Sequence, residues 1–342
     1  MAILAVMVDH TKGYLYTNQD IAYTSYYSVS LFILISGMTS YLSDQHRKEN
    51  WWQTFARSSK KIVGAYCIAS AVYLVWETNG FDLLAYLNGL IHFNISLPHY
   101  FVLLYIQLMA VNRFLFNFLE KCPRTGKGYF QEGLMLVALM AFSSWTTNYT
   151  NILDIYGGGG KLLGGTYLLV YYIGMLFVRH DWLSDSSIWK ELILGVMSGG
   201  LWVALWRFMC KNGNALDAYV PFGNGFNPPS VSFILFALFM CGVCFGAFNL
   251  LSKAKATTWI TNGMNWIGKH TMSIFLYHLL FFSKVCQPVL LVLPVSNIWL
   301  SRFVCFGGMI FGSILMEYVV DGVTYGLKAL YKPVPKKAGM VL

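Results

Sequence analysis

The sequence predicts an all-α polytopic membrane protein, a bundle of about ten transmembrane helices with both termini in the cytoplasm. Hydrophobic residues make up 56% of the 342 positions and charged residues 11%, against about 25% charged in an ordinary soluble domain. The window from Ser230 to Leu251 contains no ionisable side chain except cysteine. Roughly 20 apolar residues span the hydrocarbon core, where only a helix satisfies its own backbone, so such windows predict spanning helices.

The apolar segments follow one another with short polar connections and form a single predicted domain over residues 1–342. We expect the bundle to end near residue 320 and a short basic cytoplasmic tail to occupy residues 321–342. The stretch FDLLAYLNGLIHFNIS is too polar and too short to cross, which predicts a helix lying along the outer interface. The predicted spans lie near residues 1–10, 27–43, 62–77, 98–118, 133–147, 162–178, 188–209, 229–251, 270–293 and 298–320.

The distribution of basic residues predicts the orientation. Most of the 24 lysines and arginines lie in the loops that follow the second, fourth, sixth, eighth and tenth spans, and only Lys12, Lys161 and Lys211 lie in the opposite loops. The positive-inside rule therefore places both ends of the chain in the cytoplasm. The basic residues behind the net charge of +9 are spread over short loops and form no single patch. This distribution indicates a membrane topology signal, and we expect no nucleic-acid partner. We predict no metal site and no permanently bound cofactor.

The first apolar run ends abruptly at Asp9 and His10. Ionisable groups inside a span are costly and are functional hypotheses by default. On a helix the two side chains point about 100° apart, so both cannot face lipid. Histidine exchanges protons near neutral pH, which suits a general base that activates a hydroxyl. Taken alone, a single intramembrane histidine is more often a hydrogen-bonded packing residue than a catalytic one, and both interpretations stay open at this point.

Further motifs follow the histidine in a fixed order. The second span carries LFILISGMTSYL, a basic stretch RKENWWQTFARSSKKI comes next, and NPPSVSFILF and NWIGKHTMSIFLYHLLFF lie near the other end. In this combination the chain resembles the integral-membrane acyltransferase-3 family from residue 2 to about residue 320. Relatives often carry an arginine about three helical turns before the histidine, a position that would precede Met1 here. The elements that carry the resemblance are His10, Ser36-Gly37, Arg57 to Lys61, Pro228-Pro229, and Gly268-Lys269 to His278 with Tyr277.

The resemblance implies transfer of an acyl group, usually acetyl from cytoplasmic acetyl-CoA, to a hydroxyl of a carbohydrate, a glycolipid or a related cell-envelope acceptor. It implies that His10 is the catalytic base, acting directly or after an acyl-enzyme step. It also implies that the protein lies in a cell membrane, namely a bacterial inner membrane. Asp9 or Glu77 is the candidate group that orients the imidazole. Arg57, Lys60 and Lys61 are the candidate residues that bind the phosphates of coenzyme A, because guanidinium and ammonium groups donate hydrogen bonds to phosphate oxygens.

Several of these residues have a second interpretation. Arg57, Lys60 and Lys61 also satisfy the positive-inside rule and suit contact with anionic membrane lipid. Ser36, Gly37, Tyr277 and His278 are predicted to line the substrate path. A core hydrogen bond is the competing interpretation for His278.

Two other functions compete with the acyltransferase. A multi-pass transporter or flippase for an anionic or glycan substrate would also need buried charges such as Arg113 and Lys284, but transporters commonly have related halves, and we find none. A structural membrane subunit is the second alternative. It is consistent with a helical bundle but does not account for the histidine in the first span together with the basic loop after the second span. The predicted function is therefore an O-acetyltransferase that modifies an envelope polysaccharide or a similar acceptor.

Overall fold

The computed structural model describes residues 1–47, 50–78, 80–148, 165–182, 187–219, 229–292 and 298–330. Within these ranges the chain is helical and contains no β-strand. The helices are α1 Ala2–His10, α2 Gln19–Tyr23, α3 Ser28–Gln45, α4 Trp51–Thr78, α5 Leu83–His92, α6 Tyr100–Lys121, α7 Gly126–Asn148, α8 Gly165–Arg179, α9 Ile188–Asn212, α10 Val231–Lys253, α11 Thr258–Lys269, α12 Thr271–Phe281, α13 Gln287–Val292 and α14 Ile298–Leu330.

Every predicted span overlaps one of these helices, and the predicted interfacial stretch forms α5. The all-helical, membrane-spanning class is confirmed, whereas the number of about ten spans and the cytoplasmic termini remain predictions. Helix α14 continues to Leu330, so the start of the predicted tail is helical, and its residues 331–342 lie outside the described ranges. Six stretches of the described chain are long and apolar enough to cross a membrane: Gln19–Gln45, Leu97–Lys121, Ile188–Asn212, Val231–Lys253, Thr271–Leu290 and Trp299–Tyr325.

The chain forms two compact units, and the first of them is Met1–Lys269. At the centre of this unit α3 and α8 cross in backbone contact. A Cβ atom added at Gly37 would overlap the carbonyl oxygen of Tyr171, and one added at Gly174 would overlap the carbonyl oxygen of Leu34. Small residues give membrane helices this close approach, which maximises van der Waals contact where lipid is as apolar as leucine.

Helices α9 and α10 of the first unit pack through a second set of small residues. A Cβ atom at Gly242 would overlap the side chain of Ser198, and one at Gly246 would lie 3.0 Å from the Cα atom of Gly195. At one end of this pair the Lys253 ammonium lies 2.8 Å from a carboxylate oxygen of Glu191, which is 3% exposed. The ion pair satisfies a carboxylate that would be costly to bury alone.

The second unit begins at His270 and contains α12, α13 and α14. Helices α12 and α14 pack together, with the Phe281 ring over Gly312. A π-helical turn at Phe282–Cys286 separates α12 from α13. The five-residue spacing of such a turn inserts one extra residue and often marks a functional part of a helix.

Candidate functional site

The most specific candidate, His10, is the last residue of α1. Apolar side chains earlier in the helix are buried, and Asp9 and His10 are partly exposed. The segment that follows folds back over the helix end through Gly13, whose φ of 88° is readily adopted by glycine. Two hydroxyls then donate to one carbonyl, since Thr11 Oγ1 and Tyr16 Oη lie 2.9 and 2.8 Å from the Val8 oxygen. These bonds fix the last turn, which carries the imidazole.

Charged and polar groups surround the end of this helix. The last carbonyl groups of a helix form the negative end of its dipole, and a cation there is stabilised by about 0.3–1 kcal/mol. The Asp9 carboxylate lies within electrostatic range of Lys12 and of the Tyr16 hydroxyl. Lys12 in turn donates to Gln19 at 2.5 Å. Asp9, Lys12 and Gln19 therefore place ionic and polar groups beside the last turn of α1.

The predicted substrate residues Ser36 and Gly37 lie on α3, which packs against α1. The Ser36 hydroxyl donates to the Phe32 carbonyl at 2.7 Å, a bond to the preceding turn of its own helix. Gly37 lies at the crossing with α8 described above. The structure therefore gives Gly37 a packing role, and contact of either residue with a substrate stays a prediction.

The predicted donor residues Arg57, Lys60 and Lys61 lie on the first turns of α4, and all are exposed. Their spacings of three and four residues place both lysines beside the arginine on one side of the helix. One turn earlier the rings of Trp51 and Phe55 stack with centroids 5.2 Å apart and planes at 17°. The start of α4 thus combines guanidinium and ammonium groups with aromatic rings, a set that suits phosphates and a flat base.

Tyr277 and His278 lie in the second unit, on α12, and both are buried. The His278 Nδ1 atom lies 2.9 Å from the Ile274 carbonyl oxygen and 3.0 Å from that of Phe275. This geometry agrees with the second interpretation of His278, a hydrogen bond within the core. In the same unit His270 Nδ1 lies 2.8 Å from a carboxylate oxygen of Glu317. Contact of Tyr277 or His278 with a substrate stays a prediction.

Sequence reasoning missed a buried ionic cluster in the first unit. Arg179 is 3% exposed, and its Nε atom lies 2.5 Å from one carboxylate oxygen of Glu132. His180 Nε2 lies 2.7 Å from the other oxygen of the same carboxylate. Arg179 also donates to the Cys122 carbonyl at 2.5 Å and to the Tyr41 hydroxyl at 3.4 Å. The sequence indicates Arg179 only as a topology signal. A charged residue at the edge of a span also needs an ionic or hydrogen-bonded partner when it is buried.

A second polar chain lies on the same helices. The Asn112 amide donates to Asp44 at 2.8 Å and accepts from the Tyr171 hydroxyl at 2.9 Å. Arg47 closes the chain with a 2.6 Å ion pair to the other oxygen of Asp44. Together the two sets tie α3, α6, α7 and α8 to one another. Their dense internal pairing is typical of a structural network.

The comparisons with known proteins agree with the resemblance. The model of the family described as "Acyltransferase domain" matches residues 1–318. This match covers most of the chain, so the chain belongs to the acyltransferase-3 family and is a membrane acyltransferase. No curated protein and no solved structure matches it.

Proposed function

We propose that this protein is an O-acyltransferase that moves an acyl group, in the simplest case acetyl, from a cytoplasmic acyl-CoA to a hydroxyl of a cell-envelope carbohydrate or related acceptor. His10 is its general base. The observation that supports this most directly is the placement of an imidazole at the end of α1 in a chain of the acyltransferase-3 family. A bacterial inner membrane is the location that the resemblance suggests.

In the proposed reaction His10 accepts the proton of the acceptor hydroxyl while the oxygen attacks the thioester carbonyl. The new C–O bond forms, the C–S bond breaks, and the proton held by the imidazole balances the thiolate that leaves as free coenzyme A. The negative end of α1 stabilises the transient imidazolium. Asp9 acts as a positioning group, since it connects the last turn of α1 electrostatically to Lys12 and Tyr16.

The donor is proposed to bind at the start of α4. The phosphates of coenzyme A carry several negative charges, and Arg57, Lys60 and Lys61 supply exposed positive charge on neighbouring positions of that helix. The guanidinium of Arg57 is suited to a bidentate contact with phosphate, and the lysines act as point charges. Ser36, Gly37, Tyr277 and His278 are assigned to the path of the acyl group and acceptor.

The test is transfer from labelled acetyl-CoA in membranes that contain either the intact chain or His10→Gln at matched expression. Loss of a general base lowers the rate by about 10²–10⁴-fold, and we expect label in a glycan or lipid fraction to fall by at least the lower figure. His92→Gln is the matched control, because His92 lies on α5 and bonds the Asn88 carbonyl of its own helix. Equal labelling by the intact chain and His10→Gln would refute the assignment of His10.

A further inference from the structure

One side of α11 combines amide, indole and ammonium groups. Asn262, Asn265, Trp266 and Lys269 follow one another at intervals of three, one and three residues, so they share one face of the helix. With Met264 and Gly268 they line an open cleft of about 620 Å³. Amides and an ammonium group offer N–H donors, which suits an anionic ligand.

The burial pattern shows which side of α11 faces outward. Thr261 is 7% exposed, and Ile260 and Ile267 beside it are half-buried, so this side packs against the rest of the first unit. Trp259 is 74% exposed and Trp266 is 39% exposed. An amphipathic helix with tryptophan at the edge of its polar face is typical of the interface between lipid and water.

The surroundings of the helix are basic. Lys255 precedes α11 and Lys269 ends it, and both side chains are exposed. The positive-inside rule assigns this loop to the cytoplasmic side, where anionic phospholipids give the membrane surface a negative potential. The charge of the helix therefore complements the charge of that surface.

We propose that this face of α11 binds the headgroup of an anionic phospholipid in the inner leaflet. The Lys269 ammonium and the Asn262 and Asn265 amides donate to the phosphate oxygens. The indole of Trp266 lies at the level of the headgroups and closes the apolar side of the cleft. The proposal does not depend on the reaction at His10. Acyl-CoA also carries phosphate, so the experiment contains an arm for it.

The full-length protein is reconstituted in nanodiscs of phosphatidylcholine with increasing phosphatidylglycerol, and lipid retained on the protein is counted by native mass spectrometry. Removal of one lysine from an anionic surface weakens binding by about fivefold. We therefore expect the double variant Asn262→Leu with Lys269→Gln to retain phosphatidylglycerol over phosphatidylcholine at least about fivefold less selectively than the unmodified protein does. Lys211→Gln, an exposed lysine in a predicted outer loop, should keep it.

Phosphatidylglycerol should also raise the melting temperature of the unmodified protein more than phosphatidylcholine does, because it binds only the folded state. This arm needs no variant and stays informative if the double variant fails to fold. Unchanged lipid preference in a folded double variant would overturn the proposal, as would an equal loss in Lys211→Gln. Displacement of the retained lipid by acetyl-CoA would assign the cleft to the donor and would also overturn it.

Discussion

The ion pair between Glu132 and Arg179 gives the sharpest stability prediction. Glu132→Gln keeps the side-chain volume and removes the negative charge that faces Arg179 Nε at 2.5 Å. The two side chains are 5% and 3% exposed, so water cannot replace the lost partner. Breaking a buried pair from one side costs about 3–5 kcal/mol. The Cys122 carbonyl and the Tyr41 hydroxyl still accept from the guanidinium, so we expect about 3 kcal/mol, the low end of that range.

The free energy of unfolding would be measured for purified protein titrated from mild detergent into sodium dodecyl sulfate, with tryptophan fluorescence as the signal. Glu120→Gln is the matched control, because a carboxylate oxygen of Glu120 lies 3.7 Å from the same arginine, at Nη1 of Arg179, and its side chain is 49% exposed. It should cost at most about 1 kcal/mol. The double variant with Arg179→Met should cost about 2 kcal/mol less than the sum of the single changes. Equal losses in the two glutamate variants, or full additivity in the double variant, would refute the reasoning.

Two further predictions concern α3 and α4. Gly37→Leu should abolish the peak of folded protein in size-exclusion chromatography, because any side chain there overlaps the backbone of α8. Gly200→Leu should retain that peak, because nothing lies within 4 Å of its Cβ position. A folded Gly37→Leu protein would contradict the crossing. Arg57→Gln with Lys61→Gln should raise the KM for acetyl-CoA about tenfold with little change in kcat, since loss of uniform binding affects KM alone. Lys211→Gln is the control, and an unchanged KM in the double variant would remove α4 from the donor site.

The sequence predicted the features that depend on local pattern. Long apolar windows predict the position of α10. The short amphipathic stretch predicts α5, and Asp82 precedes this helix as its N-cap, with a carboxylate that accepts from the amides of Leu84 and Ala85. The position of His10 at the end of α1 also follows from where the apolar run stops. These signals lie within a few residues of the element that they define.

Contacts between residues that are far apart along the chain could not be predicted from the sequence. Glu132 and Arg179 are 47 positions apart, and no pattern in either stretch predicts that the two side chains pair. The family motif, in which Gly37 stands beside a serine, predicts a place in the substrate path. The close approach of Gly37 to α8 became visible only once Gly174 was placed on the opposite helix.

The contact between α3 and α8 constrains how this sequence can change over time. Each glycine opposes a carbonyl oxygen of the facing helix, and not the other glycine. Since every residue type has that carbonyl, no replacement on the facing helix creates space for a methyl group. A single insertion in either helix would rotate its glycine by about 100° away from the contact. Homologues that share this crossing should therefore keep both glycines and the spacing around them, while the neighbouring side chains vary.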